Sequence, residues 1–140
     1  MDLLTKFDYK MNPASFIRKL IEKWSPRKCV TEKDYEESLY AYLHKEIDDP
    51  SIDITKQFAI GRKKADIKIG NDAIIELKKD LGETGQYDRL MGQLKEYQQW
   101  KGAIFVVLVG EHEPNLRKKL IKESGMGSMW DEAKFIVIEK

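Results

Sequence analysis

The chain has 140 residues, long enough for one domain built around a substantial core. Hydrophobic residues make up 41% and charged residues 35%, the balance of a globular protein with a heavily charged surface, and no apolar run approaches the ~20 residues of a membrane span. The formal net charge is +1, so bulk charge does not attract a polyanion and a nucleic-acid reading has to rest on local clusters.

Cys29 is the only cysteine, which excludes an internal disulfide and a cysteine-built zinc or iron–sulfur site. The opening stretch MDLLTKFDYKMNP lacks the basic-then-apolar order of a secretory signal. A reducing, cytoplasmic setting is therefore expected, away from membranes. No repeat, low-complexity tract or linker interrupts the sequence, so residues 1–140 are expected to form a single domain.

Taken in order, Pro13 follows Asn12 as at a helix start, and Phe16, Ile17, Leu20, Ile21 and Trp24 recur at helical spacing. The stretch SPRK (25–28) ends that helix. Thr31 can cap a second helix, with Asp34 at the capping-box position and Tyr35, Leu39, Tyr42, Leu43 and Ile47 on its inner face. After DDPS (48–51), Ile52, Ile54, Phe58 and Ile60 fall at even positions and predict a strand. Ala65, Ile67 and Ile69 then alternate with Lys64, Asp66 and Lys68, and GND (70–72) is a tight hairpin turn leading into a third strand, Ala73 to Lys78. Helical spacing returns over 84–100, with Leu90, Leu94, Tyr97 and either Trp100 or Met91 facing inward. AIFVVLVG (103–110) reads as a strand covered on both faces. A short amphipathic helix over 113–123 and a last strand over 134–140 complete the order α-α-β-β-β-α-β-α-β, an α/β fold with a mixed sheet flanked by helices.

One feature resists a purely structural account. Strand AIIELKK places Glu76 and Lys78 on one face, with Ile75 and Leu77 on the other, inside an otherwise apolar run. A short hairpin brings Asp66 of the preceding strand near Glu76. Two carboxylates held close repel each other, and a divalent cation with oxygen ligands relieves that repulsion. Lys78 would then put a fixed positive charge where a phosphate gains charge or a water attacks. By itself, an acidic residue two before a lysine is a weak signal: DYK (8–10), DIK (66–68) and EAK (132–134) match it too. The usual explanation for any one of them is a solvent-facing pair on a half-buried strand.

In combination, GRKKADIKI…AIIELKK resembles the central hairpin of the PD-(D/E)XK nuclease superfamily, the restriction-endonuclease-like fold. Asp66 matches the first acidic position, Glu76 the second and Lys78 the lysine, while Ala65 stands where the motif's proline would be. The family's αβββαβ core order matches residues 31–109. The resemblance implies a Mg2+- or Mn2+-dependent nuclease, with DNA as the implied substrate, in recombination, repair or restriction. It also implies a glutamate on the preceding helix as a metal ligand. YEESLYAYL offers Glu36 and Glu37, and likeness to archaeal Holliday-junction resolvases favours Glu36. The Leu77 carbonyl is a further ligand by the same likeness. Gln93 and Tyr97, four apart on one helix face, look like the Q-x-x-x-Y element of RecB-like nucleases, in which the glutamine supports the active site or meets substrate. Arg89 and Gln86 precede Gln93 by one and two turns.

Basic residues around this hairpin are candidates for nucleic-acid contacts: Arg62, Lys63 and Lys64 in GRKK, with Lys68, Lys79 and Arg89, and Tyr97 by the family element. RKKLIK (117–122) is a second cluster, more simply a solvated helix face. His44 and His112 have no ligand spacing, GMGS (125–128) lacks the lysine of a phosphate loop, and no serine or cysteine has a credible triad. Trp24, Trp100 and Trp130 read as core or interface residues. A homodimer is expected if two strands are cut symmetrically, with the first helix, or Trp130 and the last strand, as its surface. The rival reading is a non-catalytic nucleic-acid-binding or assembly module on the same fold.

Overall fold

The computed structural model describes residues 1–126 and 133–140, so Trp130, the glycine-rich stretch beyond Met126 and part of EAK lie outside the described residues. The elements are α1 (Leu3–Met11), α2 (Pro13–Lys23), α3 (Glu32–Glu46), β1 (Ile54–Ile60), β2 (Lys63–Ile69), β3 (Ala73–Lys79), α4 (Thr84–Tyr97), β4 (Ala103–Val109), α5 (Pro114–Ser124) and β5 (Ile136–Glu139). The five strands form one mixed sheet in the order β1-β2-β3-β4-β5. β1, β2 and β3 pair antiparallel, as two short turns require, and β4 and β5 join in parallel through helical crossovers. From α3 to β4 the chain runs αβββαβ, the expected order.

The helix starts follow local capping. The Asn12 side chain accepts from the Ser15 amide with Pro13 just inside α2, and Thr31 and Asp34 form a reciprocal capping box at the head of α3. Helix α1 is one element more than the sequence analysis expects. Asp2 caps it, and the Tyr9 hydroxyl donates to Asp72 at 2.7 Å, tying it to the β2–β3 turn. Its apolar stripe of Leu3, Leu4, Phe7 and Met11 faces solvent rather than the core.

Each face of the sheet carries its own core. Ile67, Ile69, Ile75, Leu77, Phe105 and Val107 meet Ile17 and Ile21 of α2 and Leu39 and Leu43 of α3 on one face. Ile74, Val106 and Leu108 meet Leu90, Leu94 and Tyr97 of α4 and Leu120 of α5 on the other. β4 alternates between the two cores, which is why its sequence is apolar throughout. Each of these fully buried aliphatic or aromatic side chains contributes roughly 1.5–3 kcal/mol by leaving water.

Simple alternation fails at one place. Ile54 packs in the first core but Ile60 in the second, and Ile67 in the first but Ala65 in the second. The even positions of β1 therefore do not share a face, and Ala65 does not share one with Ile67, contrary to the sequence expectation. The cause is Gln57, whose φ of 57° is left-handed in mid-strand. The β1–β2 register runs through Lys56↔Ile67 and Phe58↔Ala65 but has no Gln57–Asp66 pair.

Candidate active site

The break in the sheet creates the site. The β2–β3 ladder runs from Ile69↔Ala73 to Ile67↔Ile75. Continuing that register sets Asp66 opposite Glu76, but here the strands part, and the outward amides of β3 need other acceptors. The Asp66 carboxylate takes the Leu77 N–H at 2.8 Å, and Glu32, from the first turn of α3, takes the Lys79 N–H at 3.1 Å. Two side-chain carboxylates thus stand where a neighbouring strand's carbonyls would be.

Glu76 projects toward α4 and is 3% exposed. The amide nitrogen of Gln93 is 3.2 Å from its Oε1, and the Tyr97 hydroxyl is 2.8 Å from its Oε2. The same hydroxyl is 2.6 Å from the Lys64 carbonyl oxygen. Lys78 Nζ lies 3.8 Å from Glu76 Oε1. On the opposite side, the Gln57 amide nitrogen is 3.0 Å from Glu36 Oε1 and 3.4 Å from Asp66 Oδ1.

The electrostatics are those of a crowded acid cluster. Burial, then the Asp66 charge, pushes Glu76 up to about 8, against the pull of Tyr97 and Lys78. Burial, with the charges of Glu36 and Glu32, pushes Asp66 up to about 6, although the Leu77 amide and Lys78 oppose it. Burial and the neighbouring Glu76 hold the Tyr97 hydroxyl firmly protonated.

Two clefts flank this cluster and share Glu32. One, of about 400 Å3, is lined by Glu32, Lys78, Lys79, Asp80, Gln86 and Arg89. The other, of about 480 Å3, is lined by Glu32, Glu36, Glu37, Lys56, Gln57 and Asp66. The donors are all oxygens, the chemistry that suits Mg2+ or Mn2+, and a cation there would displace the protons that crowding holds on Asp66 and Glu76. Among the described residues, no group of three or more His, Cys, Asp or Glu stands ready-gathered around one point, and the Gln57 amide lies between Glu36 and Asp66.

Lys78, Gln93 and Tyr97 gather on Glu76, and Asp66 stands close enough for its charge to act on Glu76, with Glu36 joined to Asp66 through Gln57. Glu37 is exposed at the rim of the second cleft. The Leu77 side chain is buried in the first core, and its amide serves Asp66. Lys79 and Arg89 line the first cleft, with the Lys79 ammonium 2.7 Å from Asp80. Arg62, Lys63 and Lys64 are exposed around the β1–β2 turn and line neither cleft.

Two expectations are corrected. Tyr97 is 0% exposed, so it cannot be a nucleic-acid contact; it orients Glu76 from inside. Lys68 lines neither cleft, its ammonium lying 5.0 Å from the Phe58 ring centre and 3.2 Å from the Gly70 carbonyl. Sequence reasoning also missed Glu32, Lys56 and Gln57. Glu32 reads as an ordinary acidic residue in a helix's first turn, and the other two read as the polar half of an alternating strand.

No protein-family model matches the sequence, and no curated protein matches it. Among solved structures, the chain is similar to the crystal structure of a repair endonuclease from Pyrococcus abyssi, at 13% identity and a TM-score of 0.45. That match covers 81% of this chain and 48% of the other, so this chain spans about half the length of that protein.

Proposed function

We propose that the chain is a divalent-metal-dependent nuclease that hydrolyses phosphodiester bonds, in DNA by the family resemblance. The observation that carries this reading is a buried carboxylate, Glu76, held by Gln93 and Tyr97 with the Lys78 ammonium 3.8 Å away, beside a half-buried carboxylate, Asp66, on the adjoining strand. A surface ion pair needs none of this support. Asp66 and Glu76 would hold the cation, with Glu36 and the Leu77 carbonyl as further donors by family likeness. When bound, Mg2+ or Mn2+ supplies positive charge to the reacting phosphate and makes water a better nucleophile.

The chain's own residues then have separate tasks. Lys78 presents its charge where the phosphate oxygens gain negative charge as the P–O bond breaks. Gln93 and Tyr97 fix the Glu76 carboxylate, which saves its reorganisation during the reaction. Lys79 and Arg89, along the first cleft, would hold neighbouring phosphates of the same strand.

The test is incubation of plasmid, single-stranded, flap and four-way-junction DNA with Mn2+. Wild-type protein is expected to cut at least one of them, and Lys78→Ala and Asp66→Asn none. Equal behaviour of wild type and Lys78→Ala on every substrate sinks the proposal. DNA binding in EDTA without cleavage in Mn2+ would point instead to a binding or assembly module.

A further inference from the structure

Gln57 is an odd residue for its place. A non-glycine residue in the left-handed region is uncommon, and Asn, Asp or Gly is the usual choice there. At this position the distortion interrupts the β1–β2 register and moves the next residues of both strands into the other core. What the distortion gains is reach: the Gln57 amide arrives between Glu36, on a helix, and Asp66, on the adjoining strand. A shorter side chain suits the backbone better but would not span that gap.

We propose that Gln57 is a further ligand of the acidic site, supplying a neutral oxygen to a hard divalent cation, Mg2+ or Mn2+. This rests on the cation-site reading above and adds a residue that neither the family motif nor the sequence pattern assigns. An amide carries donors at one end and an acceptor at the other, exchanged by a half-turn about its last side-chain bond. In the present state Gln57 offers its N–H groups to Glu36 Oε1 and Asp66 Oδ1, offsetting their mutual repulsion. After the half-turn it presents Oε1 to the same space. Gln57 thus satisfies the acids when the site is unloaded and adds an oxygen to the donor set when it is loaded, with no movement of the strand. The strain at Gln57 is consistent with such a role, since strained backbone is retained where the side chain has work that only that conformation allows.

Calorimetric titration of Mn2+ into wild type, Gln57→Gly, Gln57→Glu and Asp66→Asn tests this, with thermal unfolding in EDTA as the check on folding. Gln57→Gly accepts the left-handed backbone, so it is expected to be at least as heat-stable as wild type yet to bind Mn2+ about tenfold more weakly. Gln57→Glu keeps the side-chain length and supplies an anionic oxygen, so it is expected to bind at least as tightly as wild type. Gln57→Gly binding within twofold of wild type, while Asp66→Asn binds weakly, overturns the Gln57 assignment alone. Asp66→Asn binding as wild type does, or wild type not binding at all, overturns the cation site and Gln57 with it. If Gln57→Gly proves unstable, Gln57→Glu decides: binding weaker than wild type, despite the added charge, overturns the assignment.

Discussion

The Tyr97 hydroxyl stands 2.8 Å from Glu76 Oε2 and 2.6 Å from the Lys64 carbonyl oxygen, so one phenol ties helix α4 to both β2 and β3 at the acid cluster. It has one proton for two acceptors. That arrangement joins the buried carboxylate to the backbone of the strand that carries Asp66.

Tyr97→Phe keeps the ring in the second core and removes only that link. A hydrogen bond of this kind is worth about 0.5–1.5 kcal/mol, and loss of a supporting residue costs about tenfold or more in metal affinity or activity. The variant is expected to fold, to lose stability within that range, and to cleave DNA in Mn2+ at least tenfold more slowly. Denaturant unfolding and initial cleavage rates measure the two effects. An unchanged rate in a folded variant removes Tyr97 from the site.

The carboxylates make the metal-free protein sensitive to pH. Glu76 moves from 4.5 to about 8 and Asp66 from 3.8 to about 6 on folding, so between those values the folded state holds protons that the unfolded chain has released. Stability from these groups is present below the unfolded values and is lost as pH rises through the folded ones. In EDTA the melting temperature is expected to fall between about pH 5 and about pH 9, and Glu76→Gln, neutral throughout, is expected to melt higher than wild type at the alkaline end. A wild-type curve that rises over this interval, with Glu76→Gln no more stable, contradicts the buried-acid account.

Much of this fold was legible because its strongest signals are periodic and local. The second strand, the GND turn and the apolar run at 103–110 were each readable from local pattern, although Ala65 and Ile67 of that strand fall in different cores. What stayed hidden depends on contacts between elements. Ile54 and Ile60 look like one face until Gln57 bends the strand between them. Helix α1 has its apolar stripe turned to solvent, the reverse of what a helix pattern ordinarily signals. Asp66, Glu76 and Lys78, like Gln93 and Tyr97, were singled out by the family resemblance, since their spacing alone is a weak signal. Glu32 and Gln57 were not, because their meaning arises only where β2 leaves β3 and exposes amides and carboxylates that distant residues then satisfy.

The core makes a separate, energetic prediction. Ile75 is 0% exposed at the centre of the sheet, paired to Ile67 on one side and Phe105 on the other. Ile75→Ala is expected to cost about 2–5 kcal/mol in denaturant unfolding. Leu4→Ala, at a position 74% exposed, is expected to stay within about 0.5 kcal/mol. Equal effects would mean that burial is assigned to the wrong faces.

The basic residues divide into those that face the site and those that do not, and salt dependence separates them. Arg89 lines the cleft that also holds Lys78 and Lys79, whereas Lys68 is occupied with Phe58 and Gly70. If phosphates enter that cleft, Arg89→Ala weakens binding to DNA of any sequence and reduces the slope of log affinity against log salt by about 1. Lys68→Ala, which removes an equal charge from the same domain, should leave that slope nearly unchanged. Fluorescence anisotropy in Ca2+, where oxygen ligands are still recruited, gives both slopes. If the two variants shift it equally, affinity follows overall charge and the cleft is not the path of the strand. If Arg89→Ala alone shifts it, the phosphates run past the α4 stripe on which Gln93 holds Glu76, and binding and chemistry share one surface.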